Sequence, residues 1–490
     1  MSKKNMTLLI LGVTLVVISV WQIATAQKGL EVVNLHNSNH PITIIIPSNR
    51  AAASRPTVLI AHGFAGSSVL MRGFALTLAH AGYSTVSWDF EGHGANPHPF
   101  DLTSQSNDLL RDAETALAEA ETTGFIDTQH VAILGHSMGS GVALLYGVTH
   151  PDTSATIAIS PMNQSVSLDL PHNLLLMVGS LEAQFVVNAE ELLTMAGGQR
   201  DDLAGGHARE LVIIPNVEHI SILFSPTAHS TARSWLDGTF GQQAGAVNYI
   251  DRRILWLGLG IFGFILLSNG ILNSISATSV TKKISIPVWL RLLGLLGGGV
   301  IATLILYLVS LLGVKISQLF GLVVGGYILV WFGLAGVASL IMIRPRISKP
   351  TGKAVLKGMI GFSALWLGVG LLGNFVWLPW LLIPARLWLW IPGAIIVLPW
   401  FLSVGETLKQ ANTIGQIGWW LVQVIAVMGG LYLALRVNPE LGFLFLILPL
   451  VPVMLGLNML MISAKHGSWA YAVPGAMFTS WLLLAVFPLL

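Results

Sequence analysis

No cysteine occurs among the 490 residues, which excludes disulfides, thiolate metal sites and a cysteine nucleophile, and suits a protein exposed to an oxidising compartment. Charge is scarce too: Asp, Glu, Lys and Arg supply 10% of the residues, and the formal net charge is +2. No basic run is interleaved with aromatics, so no nucleic acid is implied as a partner. Against these shortages, 53% of the residues are hydrophobic and the mean hydropathy is +0.72. That is too apolar for a soluble domain of ordinary composition, so part of the chain belongs in lipid.

The apolar excess is unevenly placed. Residues 1–26 read MSKKNMTLLILGVTLVVISVWQIATA, a basic start, an apolar stretch and the small-x-small triplet Ala24-Thr25-Ala26. Such a segment is either a cleaved signal peptide or a retained transmembrane anchor, and in both cases the chain beyond it is exported. Residues 27–245 have globular character, and residues 254–490 form a multi-pass helical region. Eight apolar runs lie in the latter, at 254–272, 292–313, 319–343, 358–378, 387–404, 417–435, 441–462 and 468–487. Each is about the 17–25 residues that a helix needs to cross hydrocarbon.

Alternating from a cytoplasmic N-terminus puts Lys3, Lys4, Lys282, Lys283, Arg344, Arg346, Lys349, Lys353, Lys357, Lys409 and Lys465 inside. Arg252, Arg253, Lys315, Arg386 and Arg436 fall outside, with Arg291 at an interface. The basic excess predicts a cell-membrane protein with residues 27–245 on the extracytoplasmic side. No ionisable residue lies in the interior of the eight runs, which argues against a proton-coupled pump. Asn269, Asn374, Gln423 and Asn458 are expected to hydrogen-bond between helices. Gly321 with Gly325, and the cluster Gly294, Gly297, Gly298 and Gly299, are expected at close helix contacts. Trp377, Trp380, Trp388 and Trp390 fall at the outer boundary and read as an aromatic belt.

Within the globular part, β-rich runs alternate with helical ones: ITIIIP, TVLIAHGF, STVSWDF, HVAILGH and ATIAISP, with helices near 67–81, 106–122 and from Met138. Further strands come at 173–178 and 210–215, then a helix near 227–240. The pattern predicts an α/β fold with a mostly parallel sheet covered on both faces, and a site at the carboxyl ends of the strands. VAILGHSMGSG places Gly135-His136-Ser137-Met138-Gly139 between a buried strand and a helix. That is the context a G-x-S-x-G elbow requires, where a sharp turn exposes the serine oxygen.

A serine nucleophile needs a base, a carboxylate to orient it and donors for the oxyanion. In this strand–turn–helix setting the chain order is serine, acid, histidine. His219, just after the strand ELVIIP, is the best-placed base. His62, His93 and His136 lie near the same mouth and read as structural; His207 reads as solvated. The acid is expected after the strand LLLMVG, which selects Glu182, with Asp201 or Asp202 as fallback. Asp169 precedes that strand. The backbone N–H groups of Met138 and Phe64 are the expected oxyanion donors.

AHGFAG, AGYSTVSWDFEGHGAN, LGHSMGSG, VGSLE and VEHISILF, in that order, resemble an α/β-hydrolase of the group that includes monoacylglycerol lipases and serine aminopeptidases. The likeness covers residues 30–240 or so. It implies attack by Ser137, an acyl-enzyme intermediate, no metal and no organic cofactor, with substrates ranging over esters, lipids, thioesters and peptides. Two departures stand out. Many relatives carry aspartate where Glu182 stands, and the helical lid that commonly succeeds ATIAISP is replaced by the short linker MNQSVSLDLPH. The expected activity is therefore a membrane-bound serine hydrolase cleaving an ester or lipid acyl bond. The alternatives are a peptidase of the aminopeptidase type, or a ligand-binding domain on a membrane transport or assembly component.

Overall fold

The computed structural model describes residues 2–35, 40–49, 55–102, 105–275, 286–409 and 411–490; Lys282 and Lys283 lie outside them. The chain opens with helix α1 (Lys3–Thr25) and then builds two compact units. One comprises Trp21–Trp256 with Asn374–Pro379; the other comprises Met1–Val20, Leu257–Gly373 and Trp380–Leu490.

The first unit is an α/β domain. Its strands are β1 (Leu30–Leu35), β2 (Ile42–Pro47), β3 (Pro56–Ala61), β4 (Ser84–Trp88), β5 (Asp127–His136), β6 (Ala155–Ile159), β7 (Leu174–Gly179) and β8 (Arg209–Ile214). They form one sheet in the order β1-β2-β4-β3-β5-β6-β7-β8. β2 runs antiparallel to both β1 and β4, and every pairing from β4 through β8 is parallel. The central strands are continuous apolar runs because both faces are covered; β3, β6 and β7 are buried at every position.

Helices α2 (Arg72–His80), α3 (Gln105–Glu121), α4 (Met138–Thr149), α5 (Ala183–Met195) and α6 (Pro226–Phe240) make the crossovers and cover the sheet. Strand alternation sorts the core into layers. Leu175 and Met177 pack with α2 and α6 residues such as Phe74 and Leu236, whereas Leu174, Leu176 and Val178 pack with Leu144 of α4 and Ala189 and Leu192 of α5. Trp235 closes one layer by donating its indole N–H to the Asn173 carbonyl at 2.9 Å. Among the described residues, no helix or strand lies between β6 and β7, so the linker 162–172 carries no helical lid.

The membrane-length stretch that answers to the run 358–378 is Gly352–Phe375, and Asn374–Pro379 groups with the α/β unit. Arg72 and Arg253 donate to the Asn374 and Phe375 carbonyls, Arg253 pairs with Asp251 at 2.6 Å, and Trp377 packs against the core. The apolar run there is used to fill a protein core, which hydropathy cannot tell from filling a bilayer.

The second unit is all helical: α7 (Arg253–Ser274), α8 (Val288–Leu311), α9 (Gly325–Ile343), α10 (Gly352–Leu365), α11 (Pro384–Leu408), α12 (Thr413–Val437), α13 (Leu450–Met461) and α14 (Ser468–Val486). Among the described residues, eight helical stretches, α1 included, are long and apolar enough to cross a membrane. The run 441–462 is different: it is a 3-10 segment, Pro439–Leu446, meeting α13 at 52°. Pro449 and Pro452 lack the N–H that a continuous helix would need there.

Small residues set the close contacts. A Cβ on Gly298 would lie 2.5 Å from the Ala335 carbonyl oxygen, and one on Gly336 would lie 2.0 Å from the Trp400 nitrogen. Gly325 packs on Phe487, but Gly321 sits outside α9 at φ 67° with open space around its Cβ, so the two do not form a helix-packing pair. α1 joins this packing: a Cβ on Gly12 would meet Leu267, and Asn5 Nδ2 donates to Ser274 Oγ at 3.1 Å. Ala26, just after α1, is buried in the core of the α/β unit. Asn269 Nδ2 donates to the Leu460 carbonyl as expected of an interhelical residue, whereas Gln423 bonds within its own helix.

Of the four tryptophans read as a belt, Trp388 is 82% exposed. Trp380 and Trp390 pack at a tilt against Trp366 instead, and Trp390 donates to the Met477 carbonyl. The helices also run past the apolar runs and take in buried charges in their end turns. Arg386 donates to the Leu484 and Phe487 carbonyls at the end of α14, and Glu406 accepts from Ser468 Oγ and pairs with Lys409.

Candidate active site

The bend between β5 and α4 sets the geometry. Ser137 has φ 52° and ψ −118°, a conformation a side-chain-bearing residue adopts only when its surroundings force it. The surroundings do so because the flanking glycines let the backbone close up. A Cβ on Gly135 would lie 1.9 Å from the Gly139 carbonyl oxygen, and one on Gly139 would lie 2.5 Å from that of Ala61. Ser137 N–H is tied to the Ile159 carbonyl at 2.9 Å, which fixes the turn to β6.

His219 comes after β8 on a loop and reaches back across the sheet. Its Nε2 lies 3.0 Å from Ser137 Oγ, and its Nδ1 lies 2.8 Å from Glu182 Oε2. With a carboxylate at Nδ1, the proton belongs on that nitrogen, which leaves Nε2 free to accept from the serine hydroxyl. Glu182, at the N-terminus of α5 beyond β7, is 5% exposed and accepts two further bonds, from Ser160 Oγ at 3.0 Å and from Gly179 N–H at 2.9 Å. A buried carboxylate with three donors is held in one orientation. Gly179 is required there, because its Cβ would lie 2.4 Å from the Val217 carbonyl oxygen and 2.8 Å from Glu182 Oε1.

Ser137, His219 and Glu182 are thus brought together, and the alternative acids are not. Asp202 accepts from Gly205 N–H in its own turn, and exposed Asp169 lies 4.0 Å from His207, which therefore faces a carboxylate rather than water alone. Met138 opens α4, where the N–H has no intrahelical acceptor. Phe64 lies on the turn after β3, its ring against His93. His62 bonds the Gly63 carbonyl through Nδ1 and accepts from Phe90 N–H through Nε2, and His93 bonds the Glu91 carbonyl. Both histidines hold loops.

Three side chains support the site, and of these Ser160 and Phe185 have no motif in the sequence to announce them. His136 Nε2 donates to the His219 carbonyl at 2.8 Å, Phe185 stacks on the His219 ring at 4.5 Å, and Ser160, at φ 47°, supports Glu182. His136 already lay inside the elbow, and its neighbourhood was the only signal. The arrangement can pass a proton from a serine hydroxyl to an imidazole whose resulting charge faces a carboxylate.

Residues 52–200 match the family model for serine aminopeptidase, S33. A protein of Mycobacterium tuberculosis described only as uncharacterized is 25% identical over 186 residues, 34% of this chain and 64% of the relative. The chain therefore spans a little under two thirds of that relative's length. Among solved structures, a bacterial membrane phospholipase A is 17% identical over 47% of this chain and 92% of its own, with a TM-score of 0.34. A monoglyceride lipase from Saccharomyces cerevisiae is 16% identical over 43% of this chain and 95% of its own, with a TM-score of 0.31. The chain carries an N-terminal α/β-hydrolase domain of the S33 family, fused to a C-terminal helical region long and apolar enough to span a membrane several times.

Burial also imposes a pH dependence on folding. It holds His62, His136 and His229 below the ordinary histidine value of 6.5, most strongly His136, where the proximity of a second imidazole adds to the effect. These residues stay neutral when folded and take up protons when unfolded below pH 6.5, so stability falls as pH drops. His40, raised by its hydrogen bond to Asp112, acts the other way. The expected net loss is about 2–3 kcal/mol per pH unit at most. Thermal unfolding of the detergent-purified chain between about pH 7.5 and about pH 5.5 should show a falling midpoint; a flat profile would contradict this.

Proposed function

We propose that the chain is a membrane-bound serine hydrolase that cleaves carboxylic ester or lipid acyl bonds through an acyl-enzyme intermediate. The observation that carries this reading is the unbroken hydrogen-bonded chain from Ser137 to His219 to Glu182, with the serine on a strained turn. Ser137 Oγ attacks the carbonyl carbon as its proton passes to His219 Nε2, and Glu182 stabilises the imidazolium. The Met138 and Phe64 N–H groups receive the oxyanion, and His219 returns the proton to the leaving oxygen. Water then attacks the acyl-serine with His219 as base, restoring the free hydroxyl. No metal or organic cofactor takes part in this sequence.

An acyl chain suits the surroundings better than a polar substrate does. The linker 162–172 lacks a helical lid, Met162 and Leu181 are 42% and 66% exposed at positions two residues after Ser160 and one before Glu182, and the Phe185 ring stacks on that of His219. The excess of basic residues on one side of the spans supports a hydrolase domain outside the cytoplasm. α1 then remains as a helix of the bundle, because removal after Ala26 would strip the contacts of Asn5 and Gly12 and cut at a buried residue.

A series of p-nitrophenyl esters, with an amino-acid p-nitroanilide beside it, tests the reading. Ester hydrolysis should rise with acyl length and exceed amide hydrolysis. Ser137→Ala and His219→Ala should each lower kcat by about 10³-fold or more, and Glu182→Gln by about 10²–10⁴-fold. Preferential cleavage of the anilide would favour a peptidase. Unchanged ester turnover in Ser137→Ala would overturn the assignment.

A further inference from the structure

Outside the serine site, three segments distant in sequence converge on one cluster. His40 lies just before β2, Glu91 just after β4, and Asp112 in α3. Because β2 pairs antiparallel with β4, with Ile42 opposite Trp88, the entry to one strand meets the exit of the other. One potential ligand atom from each of the three residues lies within 4.8 Å of the other two. His40 Nε2 is 3.0 Å from Asp112 Oδ1, and Asp112 Oδ2 accepts from Glu91 N–H at 3.1 Å. His98 stacks on His40, with ring centroids 5.9 Å apart.

The charges in this cluster do not balance. Asp112, 4% exposed, has its oxygens matched by His40 and by the Glu91 amide. The Glu91 carboxylate faces the same point and makes no hydrogen bond or ion pair to any described residue. Two carboxylates and an imidazole nitrogen aimed at one point are a donor set for a divalent cation, and a histidine among the ligands favours a zinc-type ion over magnesium or calcium. Around such an ion, ligand atoms at about 2.0–2.2 Å from the metal stand about 3–3.6 Å apart. His40 and Asp112 already stand at that spacing, and rotation of the half-exposed Glu91 side chain closes the rest.

We propose that His40, Glu91 and Asp112 bind a structural zinc-type divalent ion that ties the start of β2 and helix α3 to the loop after β4. That loop is coupled to the serine site. Phe90 N–H donates to His62 Nε2, Asp89 accepts from Ser68 and Ala95 N–H, and the His93 ring packs against Phe64. The ion would brace the turn that carries Phe64 while taking no part in bond cleavage. This inference stands apart from the hydrolase reading, because it concerns binding and stability rather than turnover.

The test uses the full-length protein in detergent, stripped with EDTA and titrated with zinc chloride by calorimetry. Wild type should bind one equivalent and gain several degrees in Tm. His40→Ala and Glu91→Gln should weaken binding by at least about tenfold and lose the Tm gain. Glu91→Gln keeps size and removes a carboxylate that bonds to no described residue, so its metal-free Tm should match wild type; it carries the test if His40→Ala folds poorly. No zinc binding by wild type up to about 100 µM, or equal binding by Glu91→Gln, would overturn the proposal.

Discussion

The Ser137 backbone at φ 52° is the constraint on which the rest of the α/β unit turns. A serine in that conformation costs on the order of 1–3 kcal/mol and persists only where its neighbours allow nothing else. β5 delivers it from a fully buried run, α4 carries the chain away at once, and Gly135 and Gly139 permit contacts that any side chain would forbid. Sheet order obeys the same requirement. Because β3, β5, β6, β7 and β8 all run parallel, the loops after them open at one edge of the sheet, and those after β3, β6, β7 and β8 carry Phe64, Ser160, Glu182 and His219 to the edge where β5 delivers Ser137.

Around that turn, polar groups are buried only in company. Glu182 has three donors, and His219 is gripped through its ring by Glu182, through its carbonyl by His136, and across its face by Phe185. In a low-dielectric site such pairings fix one geometry, since any partner lost leaves a costly unpaired group. The glutamate in place of the commoner aspartate fits this scheme. It stands at the N-cap position of α5, and its longer side chain spans from the helix start to both Ser160 and His219.

Much of this was legible in the chain. The fully apolar runs TVLIA, ATIAI and LLLMVG announce buried parallel strands, and the elbow announces its serine through context rather than composition. His219 and Glu182 could be placed because a strand-then-loop position limits which residues reach the sheet's carboxyl end. Ser160, Phe185 and the Gly179 approach were not legible, because their value lies in contacts between segments that no local pattern encodes. Hydropathy likewise could not distinguish Trp377 in a protein core from a tryptophan at a lipid boundary, nor a straight span from the bent pair around Pro449. The buried charges Arg386 and Glu406 escaped for a related reason: they sit in end turns that apolar runs do not delimit, and helix-end carbonyls and neighbouring polar groups satisfy them.

The central claim is that Ser137 is an activated nucleophile, and its chemical capture tests it most directly. Detergent-purified wild type would be exposed to a fluorophosphonate at neutral pH, and the adduct located by peptide mass spectrometry. The account predicts one phosphonyl group on Ser137, formed more slowly in the presence of excess ester substrate and absent when His219 is replaced by alanine. Folded protein that stays unlabelled, or that carries the adduct at another residue, would contradict it.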